Sequence, residues 1–156
     1  MRIEWKKLLI CIAIPLAVGG LSALLTSGNM DLYSEINQPA LAPPSWLFPV
    51  VWTILYVLMG VALYLVVITK TRDDKRPAIV SFGVQLFFNF FWSLIFFNAR
   101  AFLFAFIWLT FLWLAIIANT YFFYKFNKNA GKLLIPYLVW VTFAGYLNLA
   151  IFILNR

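Results

Sequence analysis

Apolar residues fall in five long blocks, at about 8–25, 47–69, 78–98, 101–124 and 134–155, and no block contains Asp, Glu, Lys or Arg. Each is close to the roughly 20 residues a helix needs to cross a hydrocarbon layer. Charge is confined to the gaps and the chain ends. The pattern predicts an all-α integral membrane protein, a single domain over 1–156 built as a bundle of five transmembrane helices. The first run, which follows Arg2, Lys6 and Lys7, is long for the core of a cleaved signal peptide and reads as a retained helix.

The gaps set the topology. With five spans, ten basic residues fall on one side and two on the other, Arg100 and Arg156. The basic side carries Arg2, Lys6 and Lys7, then Lys70, Arg72, Lys75 and Arg76, then Lys125, Lys128 and Lys132. The bias of basic residues toward the cytoplasm puts the N-terminus inside and the C-terminus outside. Four or six spans would spoil this asymmetry. The first loop, about 26–46, has no basic residue but carries Pro39, Pro43, Pro44, Tyr33 and Trp46. Prolines stiffen it, and with Phe48 at its end it is expected to fold as a lid.

Composition agrees with lipid as the solvent. Hydrophobic residues make up 65% of the chain, charged residues 11%, and the mean hydropathy is +0.94. So much apolar surface exceeds what a core of this size can hide. The net charge of +7 does not point to nucleic acid, because the basic residues punctuate the spans instead of forming one face. There is no histidine and one cysteine, Cys11. That removes Ser-His-Asp and Cys-His catalysis, two-histidine metal sites and imidazole-ligated haem. No metal site and no tightly bound cofactor are expected.

The chemistry left to the spans is neutral and aromatic. Without ionisable residues in the membrane, carboxylate-coupled transport has no carrier. Gln85, Asn89 and Trp92 share one face of span three, Trp52 and Tyr56 one face of span two, and Trp140, Ala144, Leu147 and Asn148 one face of span five. Helical rise puts Trp52, Trp92 and Asn148 in the half nearer loop one, Asn89 near the middle and Trp140 deeper. These side chains would line an aromatic pocket opening toward the lid, with Trp140 near its floor, suited to a flat hydrophobic ring. The amides Gln85, Asn89 and Asn148 fit ligand contact and helix–helix bonding equally well. Arg100 is the basic residue nearest the pocket mouth along the chain and is the candidate partner for ligand carboxylates.

Three separated segments resemble the TspO/translocator-protein family, once called the peripheral benzodiazepine receptor. They are Pro43-Pro44-Ser45-Trp46 with Val51-Trp52 through Tyr56 and Met59-Gly60; Gln85, Asn89 and Trp92 with Phe96-Phe97-Asn98-Ala99-Arg100; and Pro136-Tyr137 with Trp140, Phe143-Ala144 and Leu147-Asn148. The resemblance implies a five-helix bundle, a homodimer, and binding of tetrapyrroles, chiefly protoporphyrin IX, and of benzodiazepine-type drugs. For some members it implies light- and oxygen-dependent breakdown of porphyrin; porphyrin transport and ligand sensing through a partner are the alternatives. By motif position the ligand-binding residues would be Trp52, Asn89, Trp92, Phe96, Trp140, Ala144 and Leu147, with Ser22, Ala23 and Tyr33 carried over from looser segments. Trp52 and Trp140 would take part in porphyrin photochemistry, since an indole against an excited ring can donate an electron. Metal-free porphyrin would bind by stacking. The sterol motif of animal members is broken here, where Leu149 and Ile153 replace its Tyr and basic positions. Cholesterol is therefore not an expected ligand, and a bacterial plasma membrane fits better than a mitochondrial one.

Orientation is directly testable. A cysteine at Asn129 is expected to be shielded from an impermeant thiol reagent in intact cells, and one at Asn29 to label. The opposite labelling pattern would overturn the topology.

Overall fold

The computed structural model describes residues 3–156; Arg2, one of the basic residues counted above, lies outside them. Five long helices carry the fold: α1 (Trp5–Thr26), α3 (Leu47–Ile68), α4 (Arg76–Ser93, prolonged by a wider π turn at Leu94–Asn98), α5 (Phe102–Phe126) and α7 (Ile135–Leu154). All five are long and apolar enough to cross a membrane. Their outward positions carry residues such as Leu24, Ile54, Phe111 and Val139, all exposed. Water would not tolerate that surface, whereas lipid solvates it. The chain is a multi-pass membrane protein.

Two short helices complete the chain: α2 (Leu32–Glu35) within the first loop and α6 (Lys128–Leu133) between α5 and α7. The hydrophobic pattern cannot show α6, because its six residues, Lys128 to Leu133, have no apolar stripe. Its start is set by Asn127, whose side-chain oxygen accepts from the amides of Asn129 at 3.0 Å and Ala130 at 3.2 Å. At the same end of the bundle, Lys75 Nζ donates to the carbonyls of Val67 at 2.9 Å and Thr69 at 2.5 Å, closing the end of α3.

Around the bundle the helices run α3, α1, α4, α5, α7. The α3–α1 contact is the closest. It depends on residues without side-chain bulk: a Cβ on Gly60 would lie 2.8 Å from the Cys11 carbonyl oxygen, and one on Gly19 would enter the Tyr56 ring. Without a hydrophobic driving force inside lipid, such close approach is what holds helices together. Helices α3 and α7, by contrast, do not pack backbone to backbone. Large side chains fill the seam between them.

The first loop closes one end of the bundle, called here the lid end. It turns through a 3-10 segment (Ser27–Asn29), then α2, and then runs extended past its prolines. Neutral amides fasten it at two places. Asn29 Nδ2 donates to Asn98 Oδ1 at 2.9 Å, and Asn98 Nδ2 donates to the Leu25 carbonyl at 3.0 Å. Asn155 Oδ1 accepts from the Asn37 amide and Asn155 Nδ2 donates to the Asn37 carbonyl, both at 2.9 Å. Beneath, Tyr33, Phe96, Ala105 and Ile151 form a small core of their own, with Phe48 and Trp92 against it.

The α1–α3 contact generates a sharp expectation. Gly60→Val forces a side chain into the Cys11–Ile12 backbone and should destabilise the protein by about 1–3 kcal/mol, read as a lower melting temperature in detergent. Gly20→Val, which meets nothing within 4 Å, should leave melting unchanged or raise it.

Candidate functional site: an aromatic seam beneath the lid

The α3–α7 seam is filled by aromatic rings. From α3, Trp52 stacks on Tyr56 at 5.7 Å and meets Tyr137 of α7 edge-on at 6.2 Å. Nearer the lid, Phe48 lies 5.9 Å from Trp140 and 5.1 Å from Tyr33 of α2. Trp140 also contacts Phe143, at 5.7 Å. The spacing that brings these rings together is simple. Phe48, Trp52 and Tyr56 are four apart on α3, and Tyr137 and Trp140 three apart on α7, so each set lines one helix face.

Below the rings lies a directional chain of hydrogen bonds. Tyr56 Oη donates to Asn89 Oδ1 at 2.7 Å, Asn89 Nδ2 to Tyr137 Oη at 2.8 Å, and Tyr137 Oη to Gln85 Oε1 at 2.7 Å. Gln85 Nε2 ends it with a weak contact to Met59 Sδ at 3.8 Å. All five residues are buried. The chain ties α3, α4 and α7 together and makes the polar floor of the seam. Asn89 spends its oxygen and its amide on protein partners, so it acts here as interhelical bonding. Trp140 is not the floor: its ring meets Phe48 next to the lid, and Tyr56 and Tyr137 lie beneath.

A second bonded group flanks the seam. Trp92 Nε1 donates to Asn148 Oδ1 at 3.1 Å, and Asn148 Nδ2 donates to the Phe102 carbonyl at 2.8 Å. Trp92 also stacks on Phe96 at 5.4 Å. Among the described residues three buried side-chain atoms have no hydrogen-bond partner, Asn119 Oδ1, Thr120 Oγ1 and Trp140 Nε1, and of these Trp140 Nε1 belongs to the seam. Buried donors are nearly always paired, so an idle indole N–H among rings is the polar group free to meet something else.

The structure thus brings together Trp52, Trp140, Ala144 and, through Phe48, Tyr33 of the lid. Ala144 and Leu147 are buried along α7, and Phe96 and Trp92 sit on the lid side. Tyr33 Oη donates to the Pro43 carbonyl at 2.9 Å, and its backbone carbonyl accepts from Gln38, which folds the lid onto itself. Burial pushes the Tyr33 phenol above its ordinary value, so it stays a neutral donor. Ser22 lies elsewhere, donating to the Phe90 carbonyl at 3.2 Å across the α1–α4 contact. Ala23 is on the exposed face of α1. Arg100 stands at the lid rim, its guanidinium 3.7 Å from Glu35, and lines a different cleft described below. Among the described residues no three His, Cys, Asp or Glu side chains gather in a group able to hold a metal.

Sequence reasoning overlooks Tyr56 and Tyr137 as the floor and Phe48 as the link from lid to seam. The available signal is their register with Trp52 and Trp140. The floor makes a testable claim. Tyr137→Phe strands an Asn89 amide and a Gln85 oxygen, and Tyr56→Phe strands an Asn89 oxygen. Each should cost about 1–2 kcal/mol of stability, measured by melting in detergent. Tyr146→Phe, which alters an exposed phenol, should melt as the parent does.

Comparisons with known proteins bear on the family of the chain. The model of the TspO/MBR family matches residues 11–154. The "Tryptophan-rich protein TspO" of Chlorobaculum tepidum is 39% identical over 157 residues, covering 99% of each chain. The "Tryptophan-rich sensory protein" of Cereibacter sphaeroides is 32% identical over 155 residues, covering 99% of this chain and 95% of the relative. The human "Translocator protein" is 35% identical over 119 residues, covering 74% of this chain and 70% of the relative. With a matching model over nearly its full length and relatives at this identity, the chain belongs to the TspO/MBR family.

Proposed function

We propose that the seam binds protoporphyrin IX or a related tetrapyrrole against Trp140 and Trp52, in a bacterial plasma membrane, and promotes its light- and oxygen-dependent degradation. The observation that carries this reading is the partnerless Trp140 N–H within a cluster of rings beneath a lid. A flat macrocycle offers stacking area to the indoles and acceptor atoms to that donor. The rings touch one another in the closed seam, so a ligand must displace Phe48 and the lid segment from the face of Trp140. Benzodiazepine-type ligands, being flat and apolar with a carbonyl acceptor, would use the same contacts, and a homodimer would present two such seams.

The difficult chemistry belongs to the ligand. Illuminated porphyrin and oxygen produce the reactive species, while the protein supplies position and keeps water out. Trp52 and Trp140 add an electron donor in contact with the ring. The names of two relatives, translocator protein and sensory protein, favour movement of the ligand or signalling through a partner instead. Flux of protoporphyrin into proteoliposomes in proportion to protein would support translocation over degradation. A stress phenotype that pocket variants lose, with neither flux nor degradation, would support sensing.

The deciding experiment is an absorbance titration of purified protein with protoporphyrin in the dark, followed by illumination. Trp52→Phe keeps a flat ring and should bind within about fivefold of the parent, since stacking contributes only about 1 kcal/mol. Trp140→Phe also removes the idle donor and should bind about tenfold more weakly. At saturating ligand both should show a sharp fall in illuminated porphyrin loss. Trp113→Phe is the control, because Trp113 lies on the α5–α7 side and donates to Thr142. Parent-like degradation by all three variants would remove the indole's redox role, and parent-like affinity of Trp140→Phe would remove the N–H contact.

A further inference from the structure

The span count leaves only two basic residues at the lid end, Arg100 and Arg156. Charge bias disfavours both there, yet the structure places them on the rim of the same cleft. This cleft, of about 550 Å³, lies between the lid ends of α5 and α7, away from the aromatic seam, with walls that include Leu103, Phe104, Ile107 and Phe152. Among the described residues, Glu35 is the one carboxylate side chain paired with either arginine, 3.7 Å from Arg100, so the Arg156 guanidinium has no side-chain carboxylate as partner. Arg100 also holds a backbone φ of 53°, a left-handed conformation that costs a residue with a Cβ about 1 kcal/mol or more. Glycine or asparagine would turn the chain there with less strain, but neither brings a guanidinium to the rim.

Directly below lies a second hollow between the same two helices. It is an apolar furrow of about 280 Å³ lined by residues including Leu109, Trp113, Gly145 and Leu149. The two are in line. On α7, Gly145, Leu149 and Phe152 succeed one another at spacings of four and three, which is one stripe of a helix, and Arg156 follows just beyond the helix end at Leu154. Gly145 opens the furrow, since a Cβ there would already reach to 3.5 Å from Leu109. A cationic rim at the membrane boundary thus continues as an apolar channel along the membrane normal.

We propose that the α5–α7 cleft and furrow bind one anionic phospholipid, its phosphate between Arg100 and Arg156 and one acyl chain along Ile107, Leu149 and Gly145. Guanidinium groups bind phosphate with charge-assisted, often paired hydrogen bonds. The furrow accounts for a chain that a free anion lacks. A rigid macrocycle has the carboxylates but cannot follow a narrow line down two helices.

The test uses the full-length protein in phosphatidylcholine nanodiscs, with phosphatidylglycerol carrying a photo-activated group in one acyl chain. Mass spectrometry then locates the cross-links. Labelling should map to the Leu103–Thr110 stretch of α5 and exceed that by a matched phosphatidylcholine probe. Arg100→Gln with Arg156→Gln should lower it about tenfold, and the corresponding pair of lysines should retain it. Gly145→Leu should lower it with both arginines in place. If the paired glutamine variant melts early, Arg156→Gln alone and Gly145→Leu carry the test. Equal labelling by the two lipids, or labelling unaffected by these variants, would overturn the site. Displacement by inorganic phosphate would identify a free-anion site instead, and displacement by protoporphyrin a second tetrapyrrole site; either would also overturn it.

Discussion

Inside hydrocarbon a buried amide has no water to return to, and Asn89 shows what that forces. Its oxygen takes the Tyr56 hydroxyl and its nitrogen takes the Tyr137 hydroxyl, so one side chain on α4 joins α3 and α7. The backbones of those two helices do not pack closely on each other. The hydrogen-bonded chain is what lets the bundle remain closed while a seam wide enough for indole rings persists above it. Replace the chain by apolar residues and the geometry of the seam would rest on ring packing alone, which accepts many arrangements. Directional bonds select one.

The structure divides labour between its bonded polar groups and the Trp140 indole. The floor chain and the Trp92–Asn148–Phe102 group are satisfied and hold helices in place. The Trp140 indole is not satisfied, and it stands on the same helix as Tyr137 of the floor. Placing the Trp140 ring one turn from a fixed anchor keeps its orientation while leaving its N–H idle. A loop residue could not be held so well, and the lid, which is a loop, accordingly supplies cover and an edge contact through Tyr33, which meets Phe48 of α3.

Much of this architecture is legible in sequence because charge is expensive in lipid. Five blocks without a charged residue leave little freedom in counting spans, and the distribution of lysine and arginine implies a direction. Helical spacing likewise reveals which of Trp52, Tyr56, Trp140 and Ala144 share a face. Which faces meet is not written there. Spacing puts Asn89 on the same stripe as Trp92, yet Asn89 is bonded to the floor and Trp92 to Asn148. Ser22 lies among small residues, and only packing shows that it belongs to the α1–α4 contact. The position of Trp140 relative to the lid depends on how α3 and α7 are staggered, which rise per residue within one helix cannot supply. Helix α6 escapes because a single short polar turn has no periodicity to detect.

The fastening of the lid bears on how it would respond to its surroundings. Asn29 with Asn98 and Asn37 with Asn155 are neutral pairs, and among the described residues only Glu35 with Arg100 is an ionic contact of the lid, at an exposed 3.7 Å. Ionic strength screens charges in solution but barely touches a dipole-to-dipole bond. A latch built on amides therefore keeps its hold in fresh water and in brine alike. Closure of such a cover is set by the side chains of Asn29, Asn98 and Asn155, by the Asn37 backbone, and by whatever pushes from beneath.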